Sequence, residues 1–158
     1  MLNLFRKKRE VVIMPPFVGE RIDITEVNDE AFSNKMVGDG VAVIPTSNVA
    51  KAPCNGKIIQ IFPTNHAFCL ETKEGLEILV HIGLDTVELK GKGFKRLVEV
   101  GCEVEKGQAI IEADFKYIKE IGKDITSILV ITNMDKVDSI SKNFNDDEDE
   151  MLKVKIKA

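Results

Sequence analysis

Apolar residues recur along this chain in short runs separated by Gly, Pro, Asn and charged residues. That spacing predicts many short strands and only scraps of helix. Strands are expected at 11–14 (VVIM), 17–24 (FVGERIDI), 41–45 (VAVIP), 57–62 (KIIQIF) and 97–100 (LVEV), and within 103–114 (EVEKGQAIIEAD). The run SILVIT at 127–132 reads by composition as a buried strand. The closing MLKVKIKA sets Leu152, Val154 and Ile156 inward against alternating lysines, the pattern of a protected edge strand. Helical spacing is confined to three places. One is 28–40, with Asn28 as cap, Phe32 and Met36 at i and i+4, and a loop at Gly38–Gly40. The second is 114–124, with Phe115, Ile118 and Ile121 on one face and Gly122 as a stop. The third is NMDKVDSISKN, with Met134, Val137 and Ile140 inward. The fold class that follows is all-β, an antiparallel sandwich or barrel-like packing with short helical turns, in one domain over 1–158 with 1–10 as a flexible tail.

The stretch 64–85, TNHAFCLETKEGLEILVHIGLD, contains both histidines of the chain. Its two apolar runs flank the turn-like TKEG and read as a hairpin. Closure about Lys73–Glu74 pairs Glu71 with Leu76, Cys69 with Ile78, Ala67 with Val80, and His66 with His81. A two-residue or symmetric four-residue loop gives this register, whereas a three-residue loop or a bulge breaks it. Directly opposed residues have Cβ atoms about 4.5–5.5 Å apart, so two imidazoles would converge on one small group.

Composition narrows the function classes. Hydrophobic content of 44% with 30% charged residues is that of an ordinary globular protein. A net charge of −4, with no basic stripe, argues against nucleic acid. Three cysteines, Cys54, Cys69 and Cys102, lack CxxC spacing and fit a reducing cytoplasm better than a disulfide framework. The start MLNLFRKKRE has no apolar segment of a signal peptide behind it, and no run approaches a membrane span. VGDG at 37–40 is too short for a phosphate loop and lacks the following Lys-Ser/Thr, so a tight turn is expected. The acidic run 145–150 (NDDEDE) reads as a solvated loop.

A single histidine on an apolar strand is usually a hydrogen-bonded core residue; a facing pair has no obvious structural benefit. With a reference pKa near 6.5 both rings are largely neutral in the cytoplasm, and a neutral imidazole nitrogen is a nucleophile. Thr64, two residues before His66, is placed to fix a tautomer, and Asp85 stands past the strand end. Three chemistries fit. Zinc would use His66, His81 and Asp85 in HxxxD spacing, but a catalytic site needs three protein ligands and no third histidine exists. A histidine-based hydrolase lacks a nucleophile in a recognisable setting. A covalent phosphoryl relay needs neither and is the most economical. A lysine-modified carrier module, suggested by EVEKGQAIIEADFK, is weakened because the residues beyond Asp114 read as helical.

Five blocks, MVGDGVAVIPT, APCNGKI, FPTNHAF, VHIGLDTVELKGKGF and NMD, occur in one order from about Ile13 to the last strand. On them the chain closely resembles the glucose-type enzyme IIA domain of the bacterial phosphoenolpyruvate-dependent sugar phosphotransferase system. The resemblance implies an antiparallel β-sandwich and a cytoplasmic phosphoryl carrier. His81 would be phosphorylated by the histidine phosphocarrier protein and would pass the group to a cysteine of the IIB domain of a sugar permease. His66 would stabilise the phosphoryl group, with Thr64 hydrogen-bonding within the site. The docking face would comprise Phe32, Met36, Val37, Phe62 and Leu79, with Asp29 and Asp85 on an acidic rim. No cofactor is implied, nor stable membrane insertion, and His66 and His81 would ligate zinc only together with a partner.

Overall fold

The structure, a computed structural model, describes residues 9–158. Within them thirteen strands alternate with two short helices and three 3-10 turns. The strands are β1 (Glu10–Ile13), β2 (Gly19–Asp23), β3 (Asp39–Pro45), β4 (Val49–Lys51), β5 (Gly56–Ile61), β6 (Ala67–Glu71) and β7 (Glu77–His81). They continue with β8 (Phe94–Arg96), β9 (Glu103–Val104), β10 (Ala109–Ala113), β11 (Ser127–Ile131), β12 (Val137–Lys142) and β13 (Leu152–Ile156); the helices are α1 (Glu30–Ser33) and α2 (Phe115–Glu120). A seven-stranded sheet has the order β2-β3-β11-β7-β6-β5-β9, and two three-stranded sheets have the orders β1-β13-β12 and β4-β10-β8. Neighbouring strands pair antiparallel, as expected of an all-β sandwich.

The main core joins one face of the large sheet to the two small ones; Val41, Phe68, Ile78, Val80 and Leu129 meet Ile111, Leu152 and Val154 there. The opposite face carries a second cluster, with Ala42, Ala67, Leu79, Ile128 and Val130 beneath Ile24, Val27, Phe32 and Leu84. β11 lies between the two clusters, so all five of its residues are buried, which is why SILVI is an unbroken run. The second cluster forms the floor of the site described below.

Several elements differ from the sequence pattern. β2 begins at Gly19 rather than at residue 17, since Val18 is exposed. α1 is a single turn capped by the Asp29 carboxylate rather than Asn28, and Lys35 at φ 57° prevents its extension to Met36. β3 starts at Asp39, so Gly40 is inside the strand opposite Val130 instead of in a loop. The strand expected at 97–100 is displaced to β8, Phe94–Arg96. The expected helix over NMDKVDSISKN is a 3-10 turn, Met134–Lys136, followed by β12, because pairing with β13 overrides the local spacing. β13 is the central strand of its sheet, not an edge; its lysines alternate on the face away from the core.

Arg9 and Glu10, expected in a flexible tail, are tied to β13; Ile156 donates its N–H to Arg9 O at 2.9 Å. The rest of that tail, residues 1–8, is outside the described residues. The acidic loop is more than solvated. Its carbonyls at Glu148 and Glu150, with that of Asn143, accept hydrogen bonds from Arg21, a buried guanidinium on β2. Burial lowers the Arg21 pKa, against the pull of Asp146, Glu148 and Asp149. Asn133 of the NMD block accepts from Glu77 N–H and donates to Gly75 O, bracing the β6–β7 turn.

One close approach supports the centre of the large sheet. A Cβ at Gly40 would lie 1.8 Å from the carbonyl oxygen of Leu129 on the neighbouring strand. Gly40→Ala is therefore expected to destabilise the fold by about 3 kcal/mol or more, as overpacking against backbone does. Chemical denaturation checks this; a midpoint equal to that of the unmodified chain would contradict the close approach.

Candidate functional site

The histidines converge, but by a different register from the expected one. β6 and β7 pair Ala67 with His81, Cys69 with Leu79 and Glu71 with Glu77. The turn explains the slip by one residue. Gly75 N–H donates to Thr72 O, Thr72 N–H to Leu76 O, and Leu76 N–H to the Thr72 hydroxyl, with Gly75 at φ 93°. This is a three-residue loop closed by a left-handed glycine, the geometry that breaks symmetric closure.

His66 therefore precedes the strand instead of facing His81 across it. Phe62 N–H donates to Ala67 O, Asn65 N–H to Phe62 O, and Asn65 has φ 57°. Asn tolerates this left-handed conformation better than most residues. Arg96 Nε donates to its side-chain oxygen at 3.0 Å. The turn swings His66 to the outer face of the sheet, and its carbonyl accepts Ile82 N–H at 2.7 Å. The rings stand 4.9 Å apart between centroids at 82°. Cys69 also packs into this outer cluster, because Ala67 and Cys69 share the face that His66 reaches through its turn.

Each ring is fixed by a second contact. The Thr64 hydroxyl lies 2.5 Å from His66 Nδ1. His81 Nδ1 lies 2.8 Å from Gly83 O. A carbonyl only accepts, so Nδ1 of a neutral His81 carries the proton and Nε2 presents a bare lone pair. Phe32 meets the His81 ring edge-on at 5.2 Å, and Phe62 meets His66 at 5.4 Å.

Both rings are held neutral. Burial, and then the neighbouring His81, depress His66 to about 4. Burial also lowers His81, opposed by the Gly83 carbonyl, Asp29 and Asp85. For His66 the unfolded chain, with a pKa near 6.5, binds more protons than the folded one between pH 6.5 and 4. Its contribution is thus fully present above about pH 6.5 and is lost as pH falls toward 4, amounting to at most about 3 kcal/mol. Urea unfolding across this range should show stability rising with pH, and His66→Gln should flatten the curve. An unchanged slope in that variant would refute the buried neutral ring.

The seven expected docking residues occupy two levels. Met36 is 76% exposed, Val37 and Phe62 are half-buried, and Asp85 is exposed. Phe32 and Leu79 are buried and form floor rather than contact surface. Asp29 caps α1 through Ala31 N–H at 3.0 Å. Asp85 heads the 3-10 turn Thr86–Leu89 in a left-handed conformation. Val87 in that turn, not anticipated, is 52% exposed. Gly83 O was also missed; no side-chain signal marks a carbonyl, although a glycine two residues after a histidine is a hint.

Other chemistries fit less well. Among the described residues no three His, Cys, Asp or Glu side chains are grouped to hold a metal, so His66, His81 and Asp85 are not gathered as a three-ligand set. Burial and Glu77 raise the Cys69 pKa, keeping it a neutral thiol rather than a nucleophile. Lys116 stands in α2, not at a hairpin tip.

Residues 11–137 match the family model described as phosphoenolpyruvate-dependent sugar phosphotransferase system, EIIA 1. The chain belongs to that family. It is 49% identical over 143 residues to the PTS system glucose-specific EIIA component of Borreliella burgdorferi, covering 90% of this chain and 76% of that one. It is 50% identical over 123 residues to the N-acetylglucosamine-specific EIICBA component of Escherichia coli, covering 78% of this chain but only 19% of that relative. The solved glucose permease IIA from Mycoplasma capricolum superposes with a TM-score of 0.79 at 36% identity, covering 92% of this chain and 96% of that one. The EIIA member is thus a phosphoryl-transfer component of the sugar phosphotransferase system, on the sandwich fold of its solved relative. Among the described residues no helix is long and apolar enough to cross a membrane.

Proposed function

We propose that His81 Nε2 accepts a phosphoryl group from the histidine phosphocarrier protein and passes it to a cysteine of the IIB domain of a sugar permease. The observation that carries this is the bond from His81 Nδ1 to Gly83 O, which leaves Nε2 unprotonated. In the first transfer a P–N bond forms at Nε2 while the donor's P–N bond breaks. The Nδ1 proton stays in place, held by the carbonyl. In the second transfer the Nε2–P bond breaks, the cysteine thiolate takes the phosphoryl group, and His81 departs as neutral imidazole. Because the proton never left Nδ1, the ring is a good leaving group throughout.

His66 serves the phosphoryl oxygens. If the Thr64 hydroxyl donates to Nδ1, the remaining ring proton is on Nε2 and is available as a donor. Its low pKa keeps His66 neutral, so it stabilises by hydrogen bonding and not by charge. Half-buried Val37 and Phe62 and exposed Met36 supply the apolar part of the docking face, with Asp29 and Asp85 beside His81. A basic, arginine-bearing carrier suits this rim, and such complementarity chiefly sets encounter rate. The three free thiols fit a cytoplasmic setting.

Incubation with phosphoenolpyruvate, enzyme I and the phosphocarrier should place acid-labile phosphate on this protein, and addition of a IIB domain should remove it. Failure to take up phosphate in that mixture would overturn the assignment.

A further inference from the structure

Gly83 O selects the His81 tautomer, so whatever holds that carbonyl governs the nucleophile. The two peptide planes beside Gly83 are tied at all four ends. In the plane joining Ile82 and Gly83, the Ile82 carbonyl accepts from Thr86 Oγ1 at 2.5 Å, and Gly83 N–H donates to Ser127 Oγ at 3.2 Å. In the plane joining Gly83 and Leu84, Gly83 O accepts from His81 Nδ1–H and Leu84 N–H donates to Asp124 O at 2.9 Å. Ser127 Oγ in turn donates to Ile125 O at 3.0 Å, which orients its lone pair toward Gly83. Thr86 and Ser127 are fully buried, so a surface role does not explain their hydroxyls. Gly83 itself is at φ 72°, and a Cβ there would lie 2.6 Å from Thr86 Cγ2. The packing admits only glycine at this bend.

We infer that Thr86 and Ser127 are positioning residues for phosphoryl transfer, clamping the Gly83 backbone so that its carbonyl holds the His81 proton on Nδ1. The inference rests on His81 being the phosphoryl acceptor. Its physical content is a tautomer bias. A histidine side chain in water prefers its proton on Nε2, so a wandering Gly83 carbonyl would return the proton to the nitrogen that must attack. The clamp opposes this with hydrogen bonds that are already formed in the free protein.

The test uses Ser127→Ala and Thr86→Val, which remove one hydroxyl each, against Ser127→Thr and Thr86→Ser, which keep it. Nitrogen-15 NMR of the unphosphorylated proteins should show His81 protonated on Nδ1 in the unmodified chain. Its Nε2–H population should grow in the two hydroxyl-free variants. Their phosphorylation by the phosphocarrier should slow roughly five- to tenfold, the worth of one net hydrogen bond, in kcat rather than KM. The hydroxyl-retaining variants should keep the unmodified tautomer and rate. An unshifted tautomer and an unmodified kcat in folded Ser127→Ala and Thr86→Val would overturn the clamp. Should both fail to fold, the unmodified chain decides by amide exchange. Slow exchange at Gly83 with Nδ1–H on His81 supports the clamp, and fast exchange there or Nε2–H overturns it. Absence of phosphate uptake by the unmodified chain would instead defeat the assigned function, and the tautomer readout would still judge the clamp.

Discussion

His81→Ala should take up no phosphate from the phosphocarrier while remaining folded. On the proposed assignment the ring provides the nitrogen to which the phosphoryl group bonds, so nothing of the transfer survives its removal. His66 is no substitute: it is 3% exposed, and its Nδ1 is engaged by Thr64. The fold should persist because His81 ends β7 half-buried at the rim, with the apolar floor of Leu79, Ile128 and Val130 beneath it intact. Loss of the Phe32 edge contact should cost about 1 kcal/mol, as for an aromatic pair. Radiolabelled phosphoenolpyruvate with enzyme I and the phosphocarrier measures the result directly. Label retained by the folded variant would remove His81 from the mechanism.

His66→Ala should separate the two half-reactions. His81 keeps its Gly83 partner in this variant, so Nε2 remains bare and the first transfer should proceed. Transfer to the IIB cysteine should fall by about 100-fold, the scale on which loss of one transition-state donor is felt. The asymmetry arises because acceptance needs only a nucleophile, whereas onward transfer needs the phosphoryl oxygens held for attack. Thr64→Val should show a weaker form of the same defect, since it frees the His66 tautomer without deleting the ring. Rapid-quench measurement of each half-reaction checks the pair. Equal slowing of both steps in His66→Ala would contradict the division of roles, as would unimpaired onward transfer.

Much of the architecture was legible because burial writes itself into short apolar runs. β5, β11 and β13 were readable from period and composition alone, as was the pairing of the two histidine strands. What escaped depended on backbone geometry or on distant partners. The register slip arose at Gly75, where one left-handed residue turns a symmetric loop into a three-residue one. His66 nonetheless reached His81, through the turn at Asn65 rather than by direct pairing. The spacing of Met134, Val137 and Ile140 suits a helix as well as it suits β12, and pairing with β13 decided between them. The lysines of β13 looked like edge protection because alternation reveals an outer face but not a strand's neighbours. In the site, Thr64, His66 and His81 are in contact as expected, while Phe32 and Leu79 belong to its floor. Gly83 O, Thr86 and Ser127 were hard to read for a common reason: each acts through a backbone group, of which the glycine two residues after His81 is at most a hint.

The central claim is that His81 presents a bare Nε2 while Gly83 O retains the proton on Nδ1. Phosphorus–nitrogen coupling in the nitrogen-15-labelled, phosphorylated protein tests it most directly. The expected spectrum has phosphorus coupled to His81 Nε2 and a proton on Nδ1. Phosphorus on His81 Nδ1, or on either nitrogen of His66, would contradict it.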